Sequence, residues 1–146
     1  MSTDASGEVV TVMVFGTFDG VHLGHLNFFK QARGLNSQSR LIVSIARDKN
    51  VYKIKGKYPR LNEKKRLALI KKTKLADRVV FSGIKDYLPH ILREKPNIIA
   101  LGYDQKAYVK DLKKNLAQKG LRVKIKRLKP YKENIYKNTL LHIPKA

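Results

Sequence analysis

The stretch from Val12 to His25, V-M-V-F-G-T-F-D-G-V-H-L-G-H, constrains this chain more than any other. Val12, Met13, Val14 and Phe15 form a continuous apolar run, the pattern of a strand buried on both faces in a parallel sheet. Gly16 and Gly20 punctuate the turn that follows. From His22 onward, Leu23, Leu26, Phe29 and Ala32 recur at helical spacing, so one face of a helix can pack on that sheet. A strand, a glycine turn and a helix start make a phosphate site on physical grounds, because unpaired N–H groups and the positive end of the helix dipole converge there.

His22 and His25 share one face of the first helical turn, where two imidazoles can donate to phosphate oxygens and to charge developing on them. Gly24 between them lets a ligand approach the backbone. A single histidine would be explained by a structural role at the helix start. Two of the chain's four in one turn after a strand favour phosphate chemistry. Neither the P-loop pattern G-x-x-x-x-G-K-[ST] nor the dinucleotide fingerprint G-x-G-x-x-G occurs. Zinc is the weaker alternative, since the spacing falls short of an i, i+4 pair and no cysteine exists to complete a site.

Beyond the turn, strand and helix patterns alternate. Leu41 to Ala46 reads as a second strand, and Lys49 to Arg60 as a basic loop whose Lys53, Lys55 and Lys57 are within reach of phosphate oxygens. Asn62 caps a helix with Leu67 and Ile70 inside, a strand follows over Ala76 to Phe81, and Asp86 caps a helix with Leu88, Ile91 and Leu92 inside. Asn97 to Leu101 is a fourth strand, Tyr108, Leu112 and Leu116 mark a helix ended by Gly120, and Val123 and Ile125 alternate with charges as in an edge strand. This order predicts one α/β domain, a Rossmann-like doubly wound parallel sheet of about five strands with flanking helices, over residues 9–146 after a mobile tail at 1–8. The glycine turn and the Gly102-Tyr103-Asp104 loop then open on the same sheet edge, with a nucleotide between them.

Charge sets a second constraint. Lysine and arginine number 32 against 11 acidic residues, a net charge of +21, and such a field attracts polyanions. Lys64, Lys65, Lys71, Lys72, Lys113 and Lys114 read as solvated helix faces, and no zinc-finger spacing or aromatic RNA-binding pattern accompanies the charge, so a nucleic-acid partner is not favoured. The absence of cysteine fits a reducing cytoplasm, and no apolar run suits a membrane span or a signal peptide.

Gly16-Thr17-Phe18-Asp19 followed by His22-Leu23-Gly24-His25 resembles the signature of the HxGH nucleotidyltransferases, in their cytidylyltransferase-like branch. Ala46-Arg47-Asp48, Lys55-Gly56-Lys57, Ala76-Asp77-Arg78-Val79-Val80 and Ile99-Ala100-Leu101-Gly102-Tyr103-Asp104-Gln105 are similar to the archaeal-type FAD synthases, over nearly the whole chain from Val9 to Leu141. The resemblance implies transfer of AMP from ATP to FMN, with FAD and pyrophosphate as products and Mg²⁺ accompanying ATP. Residue by residue, it implies that Thr17 and Phe18 meet the α-phosphate and ribose, and that His22 and His25, with Leu23 and Gly24 in the same turn, stabilise phosphate charge. Gly102, Asp104 and Tyr131 would hold the nucleoside. Lys137, Asn138 and Thr139 match a phosphate-contacting helix start, with Lys137 acting in catalysis and Asn138 replacing the first hydroxyl. Asp19 would orient the turn or a metal-bound water, and no other protein ligand to metal is expected.

Lys74 and Leu75 depart from the arginine and aromatic residue of the cytidylyltransferase signature. Cytidylyl transfer to glycerol 3-phosphate or a related polyol phosphate is therefore the second reading, and a basic nucleic-acid-binding module on the same scaffold the third. An acceptor as large as FMN needs an apolar wall for its ring, with Tyr52, Ile54, Tyr58, Tyr103 and Tyr131 as the candidates. A homodimer stays open.

Overall fold

The computed structural model describes residues 8–83, 87–105 and 111–131. Its strands are β1 (Val10–Gly16), β2 (Ser39–Ile45), β3 (Arg78–Phe81), β4 (Ile98–Leu101) and β5 (Lys124–Arg127). The helices are α1 (Leu23–Arg33), α2 (Asp48–Lys55), α3 (Glu63–Thr73), α4 (Tyr87–Glu94) and α5 (Leu112–Gln118). All strand pairs are parallel, in the order β3-β2-β1-β4-β5. The predicted doubly wound sheet is therefore the observed one.

β1 is central, with Val12 paired to Leu41 on one side and to Ile98 on the other. Its alternate residues feed two cores. Val12 and Val14 pack with Phe29 and Ala32 of α1, Val43 of β2 and Ile70 of α3, whereas Met13 and Phe15 pack with Ile91 of α4 and Leu112 and Leu116 of α5. Burial on both faces is why β1 shows no polar alternation. Complete burial of a side chain such as Phe29 contributes roughly 2–3 kcal/mol. The chain winds from β1 toward β3 on one side and from β4 toward β5 on the other, so the order reverses between β1 and β4, and ligands of open α/β sheets bind above such a point.

Two expectations are corrected, and two buried polar residues are added. Leu23 is 45% exposed rather than facing the sheet, because it opens α1 at the ligand edge, while Phe29 and Ala32 supply the buried face. Lys49 to Arg60 is not all loop, since α2 occupies its first half. That helix is short and polar, and forms because Val51 is buried, Asp48 sits in its first turn and Gly56 closes it in the left-handed region at φ +77°. Arg66 and His90, on helices read as amphipathic from their apolar residues alone, are both buried. The expected cap Asp86 and the helix residue Tyr108 lie outside the described residues.

Candidate active site

The turn after β1 is built around one ring. A Cβ on Gly16 would stand 2.6 Å from the Phe18 ring, so glycine is what lets that ring tuck under the end of the strand. Phe18 itself has φ +53°, a left-handed conformation uncommon for a non-glycine residue. Its buried ring packs on Phe29, with centroids 5.4 Å apart, and edge-on beneath His25, also at 5.4 Å. A hydrocarbon ring in this position offers phosphate no donor. The side chain of Phe18 therefore supports the histidine from below.

His22 is the N-cap of α1, and the two histidines cap each other. The His25 N–H donates to Nδ1 of His22 at 3.3 Å, and the His22 N–H donates to Nδ1 of His25 at 3.2 Å. Their rings stack at 3.7 Å, 13° from parallel. Because both Nδ1 lone pairs accept backbone N–H groups, the neutral rings carry their protons on Nε2. Each histidine thus keeps one N–H for a ligand. Burial lowers the pKa of His22, and burial together with the neighbouring His22 takes His25 down to about 3. No acidic residue occupies the first turn of α1, so the positive dipole end is left to an incoming anion.

Two pins hold this turn to the start of α3. Asp19 accepts the backbone N–H of Arg60 at 2.6 Å on one carboxylate oxygen and that of Leu61 at 2.7 Å on the other. Of the two roles expected for Asp19, the geometry serves the orientation of the turn. Arg66, fully buried, donates to the carbonyls of Thr17 and Ala46 at 2.8 Å each, to that of Leu61 at 3.0 Å, and to the Asp48 carboxylate at 2.6 Å. One guanidinium thereby ties the ends of β1 and β2 to the starts of α2 and α3. Asp48 and Glu63 complete the arrangement by accepting each other's backbone N–H, at 3.1 and 2.8 Å.

Above the turn lies a cavity of about 280 Å³. It brings together Thr17, Phe18, His22, Gly24, His25, Gly102, Asp104 and Tyr131 from the sequence-derived set. Leu23 does not line it, and Lys137, Asn138 and Thr139 lie outside the described residues. Phe15, Gly16 and Tyr103 also line it, Tyr103 being one of the candidates for an apolar ring wall, and Phe28, Gln105, Lys129 and Pro130 complete the walls.

Three side chains hold those walls. Gln105 donates to the Phe15 carbonyl at 2.9 Å and accepts the Gly102 N–H at 2.7 Å, bridging the carboxyl ends of β1 and β4. Arg127 donates to the carbonyls of Gly102 at 2.7 Å and Gln105 at 2.6 Å, which curls the loop around its guanidinium. Gln31 of α1 clasps Lys129 through both backbone polar groups, at 2.8 and 3.0 Å. Sequence offered no local signal for Arg127 and Gln31, since both act on backbone distant in the chain, and the same holds for the bond from Gln105 to Phe15. Among the described residues no group of three or more side chains is arranged to hold a metal ion.

The cytidylyltransferase-like family model matches residues 13–140. A FAD synthase of Korarchaeum cryptofilum is 43% identical over 118 residues, covering 80% of each chain. A FAD synthase of Thermoplasma acidophilum is 35% identical over 133 residues, covering 91% of this chain and 92% of its own. Among solved structures, the lipopolysaccharide core biosynthesis protein of Thermoplasma volcanium superposes with a TM-score of 0.76 at 38% identity, covering 84% of this chain and 98% of the other.

Proposed function

Because the chain belongs to the cytidylyltransferase-like family and matches FAD synthases over most of its length, we propose that its cavity joins FMN to the AMP part of ATP. The chain is a nucleotidyltransferase, an FMN adenylyltransferase that makes FAD and pyrophosphate. Supporting this reading at the level of geometry is one observation: the reciprocally capped His22 and His25 line the cavity at a helix start, each with its Nε2–H uncommitted to the cap.

In the reaction an oxygen of the FMN phosphate attacks the α-phosphorus of ATP. The new O–P bond forms as the bond from the α-phosphorus to the bridging oxygen breaks, and pyrophosphate leaves with the electron pair. The attacking phosphate is already ionised near neutrality, so no strong general base is required. Catalysis then rests on positioning and on stabilising charge.

His22 and His25 donate to the α-phosphate oxygens as charge shifts, aided by the dipole of α1. Thr17 and Gly24 present the backbone of the turn, and Gly102, Asp104 and Tyr131 hold the nucleoside. Lys137, Asn138 and Thr139, outside the described residues, take phosphate-contacting roles by resemblance to the family, with Lys137 acting in catalysis. Mg²⁺ would accompany ATP and neutralise part of its phosphate charge, with Asp19 the candidate to meet it through a water.

The family's name keeps cytidylyl transfer to a polyol phosphate as the second reading. A screen of pyrophosphate release, crossing ATP and CTP with FMN and glycerol 3-phosphate, separates the two. Turnover by ATP with FMN supports the proposal, and turnover confined to CTP with glycerol 3-phosphate overturns it.

A further inference from the structure

Three of the five exposed large hydrophobic side chains among the described residues sit on one short segment: Tyr52 at 48% exposure, Ile54 at 81% and Tyr58 at 61%. Exposed apolar side chains gathered in this way mark a binding surface more often than scattered ones do. The two tyrosines, six positions apart and separated by the left-handed Gly56, stack with centroids 4.6 Å apart and planes within 22°. A stacked yet solvent-exposed pair of phenols is a platform for another flat ring.

The surroundings favour an anionic ligand. Residues 49–60 contain no acidic residue, and Lys53, Lys55 and Lys57 alternate with the apolar side chains. The two carboxylates at the base of the segment, Asp48 and Glu63, are engaged with Arg66 and Arg47.

Both ends of the segment are fixed to the catalytic turn. Arg66 joins Asp48 to the Thr17 carbonyl, and Asp19 takes the N–H groups of Arg60 and Leu61. Tyr58 is only two residues from Arg60, a separation that backbone geometry limits to about 7 Å. The platform therefore stands on the β2 side of the histidine turn, while the cavity opens on the β4 and β5 side, along Gly102, Gln105 and Lys129. A cavity of about 280 Å³ suits one nucleoside-sized ligand, and the reaction brings two ring systems to the same phosphorus.

We propose that the Tyr52–Tyr58 stack seats the isoalloxazine ring of FMN, and that Lys53, Lys55 and Lys57 supply the positive field for its phosphate. The proposal rests on the FMN adenylyltransferase reading. It adds to it the side from which the acceptor arrives. An electron-poor flavin ring stacks well on electron-rich phenols, which accounts for tyrosine at both positions.

The test is a fluorescence titration of FMN into the full chain, with Mg²⁺ and a non-hydrolysable ATP analogue, because tyrosine stacking quenches flavin emission. Wild type should quench saturably. The double variant Tyr52→Ala and Tyr58→Ala should bind FMN about tenfold or more weakly, the scale of one lost aromatic stack, with unchanged affinity for the ATP analogue. Tyr52→Phe with Tyr58→Phe should restore most of the affinity. Equal FMN binding by wild type and the double alanine variant overturns the subsite and leaves the reaction standing. Wild type that binds the ATP analogue but no FMN overturns the reaction itself and the subsite with it. A change in oligomeric state without a change in FMN affinity would make the patch a contact between copies of the chain and refute its role as a flavin seat.

Discussion

Lowering the pH should destabilise this protein through His25 before its carboxylates titrate. The folded state holds the His25 pKa at about 3 against an ordinary 6.5, chiefly by burial and then by the adjacent His22. A folded-state pKa below the unfolded one means that the unfolded chain binds the extra proton. Stability is thus fully present above pH 6.5 and is lost progressively as the pH falls from 6.5 toward 3. At about 1.4 kcal/mol per pK unit, the loss from His25 alone is about 2 kcal/mol at pH 5. The same proton cannot be placed on Nδ1 without breaking the reciprocal cap, so local fraying of α1 should accompany it.

The assay is urea unfolding at pH 7.5 and pH 5, for wild type and His25→Asn, whose side-chain oxygen can still accept a cap hydrogen bond but cannot titrate. With an m-value of roughly 1–3 kcal/mol/M, the wild-type midpoint should fall by about 1 M more than that of the variant. His22 and His90 are also held below their ordinary values, mainly by burial, so the comparison with the variant isolates His25. Long-range nitrogen–proton spectra at pH 7 should show both His22 and His25 protonated on Nε2. Equal pH slopes in the two proteins, or an Nδ1–H tautomer at either histidine, would refute the reasoning.

Replacing His22 or His25 by Ala should lower kcat by ~10²–10³ with the fold retained by circular dichroism, and unchanged turnover in both variants would remove the proposed mechanism. Arg66→Met, which strips donors from three carbonyls and the Asp48 carboxylate, should cost about 3–5 kcal/mol in urea unfolding; a loss under about 1 kcal/mol would mean that the guanidinium does not tie the turn to α3. Affinity for duplex DNA should be weak and fall steeply with salt, by a slope of about −0.9 per neutralised phosphate; sequence-selective binding that survives physiological salt would favour a nucleic-acid role for the +21 charge.

The parts of the molecule that were legible in the sequence are those whose physics is local. β1 announced itself by an unbroken apolar run, and the histidine turn by glycine, histidine and helix start within a few residues. Non-local partners left fainter marks. Arg66 follows Lys64 and Lys65 in a helix where a cation ordinarily points to water, and only its spacing of four from the buried Ile70 hints that it faces inward. What fixes it there is the convergence of Thr17, Leu61 and Ala46 carbonyls, which exists only once the sheet has formed.

Ser44 is a similar case. A polar residue in the apolar run of β2, it meets Ser82 at 3.0 Å and His90, 46 residues on, at 2.7 Å, partners that only the fold brings together. The helix α2 was hidden for a different reason: it buries only Val51, so its apolar periodicity was too weak to distinguish from a lysine-rich loop.

The most direct test of the central reading follows the α-phosphate itself. Incubated with FMN, Mg²⁺ and ATP labelled at the α-phosphorus, the protein should move the label into FAD and release unlabelled pyrophosphate, and His25→Ala should slow that transfer by ~10²–10³ without abolishing ATP binding. Label that stays in ATP or appears only as free AMP, while labelled CTP is consumed in the presence of glycerol 3-phosphate, would contradict it.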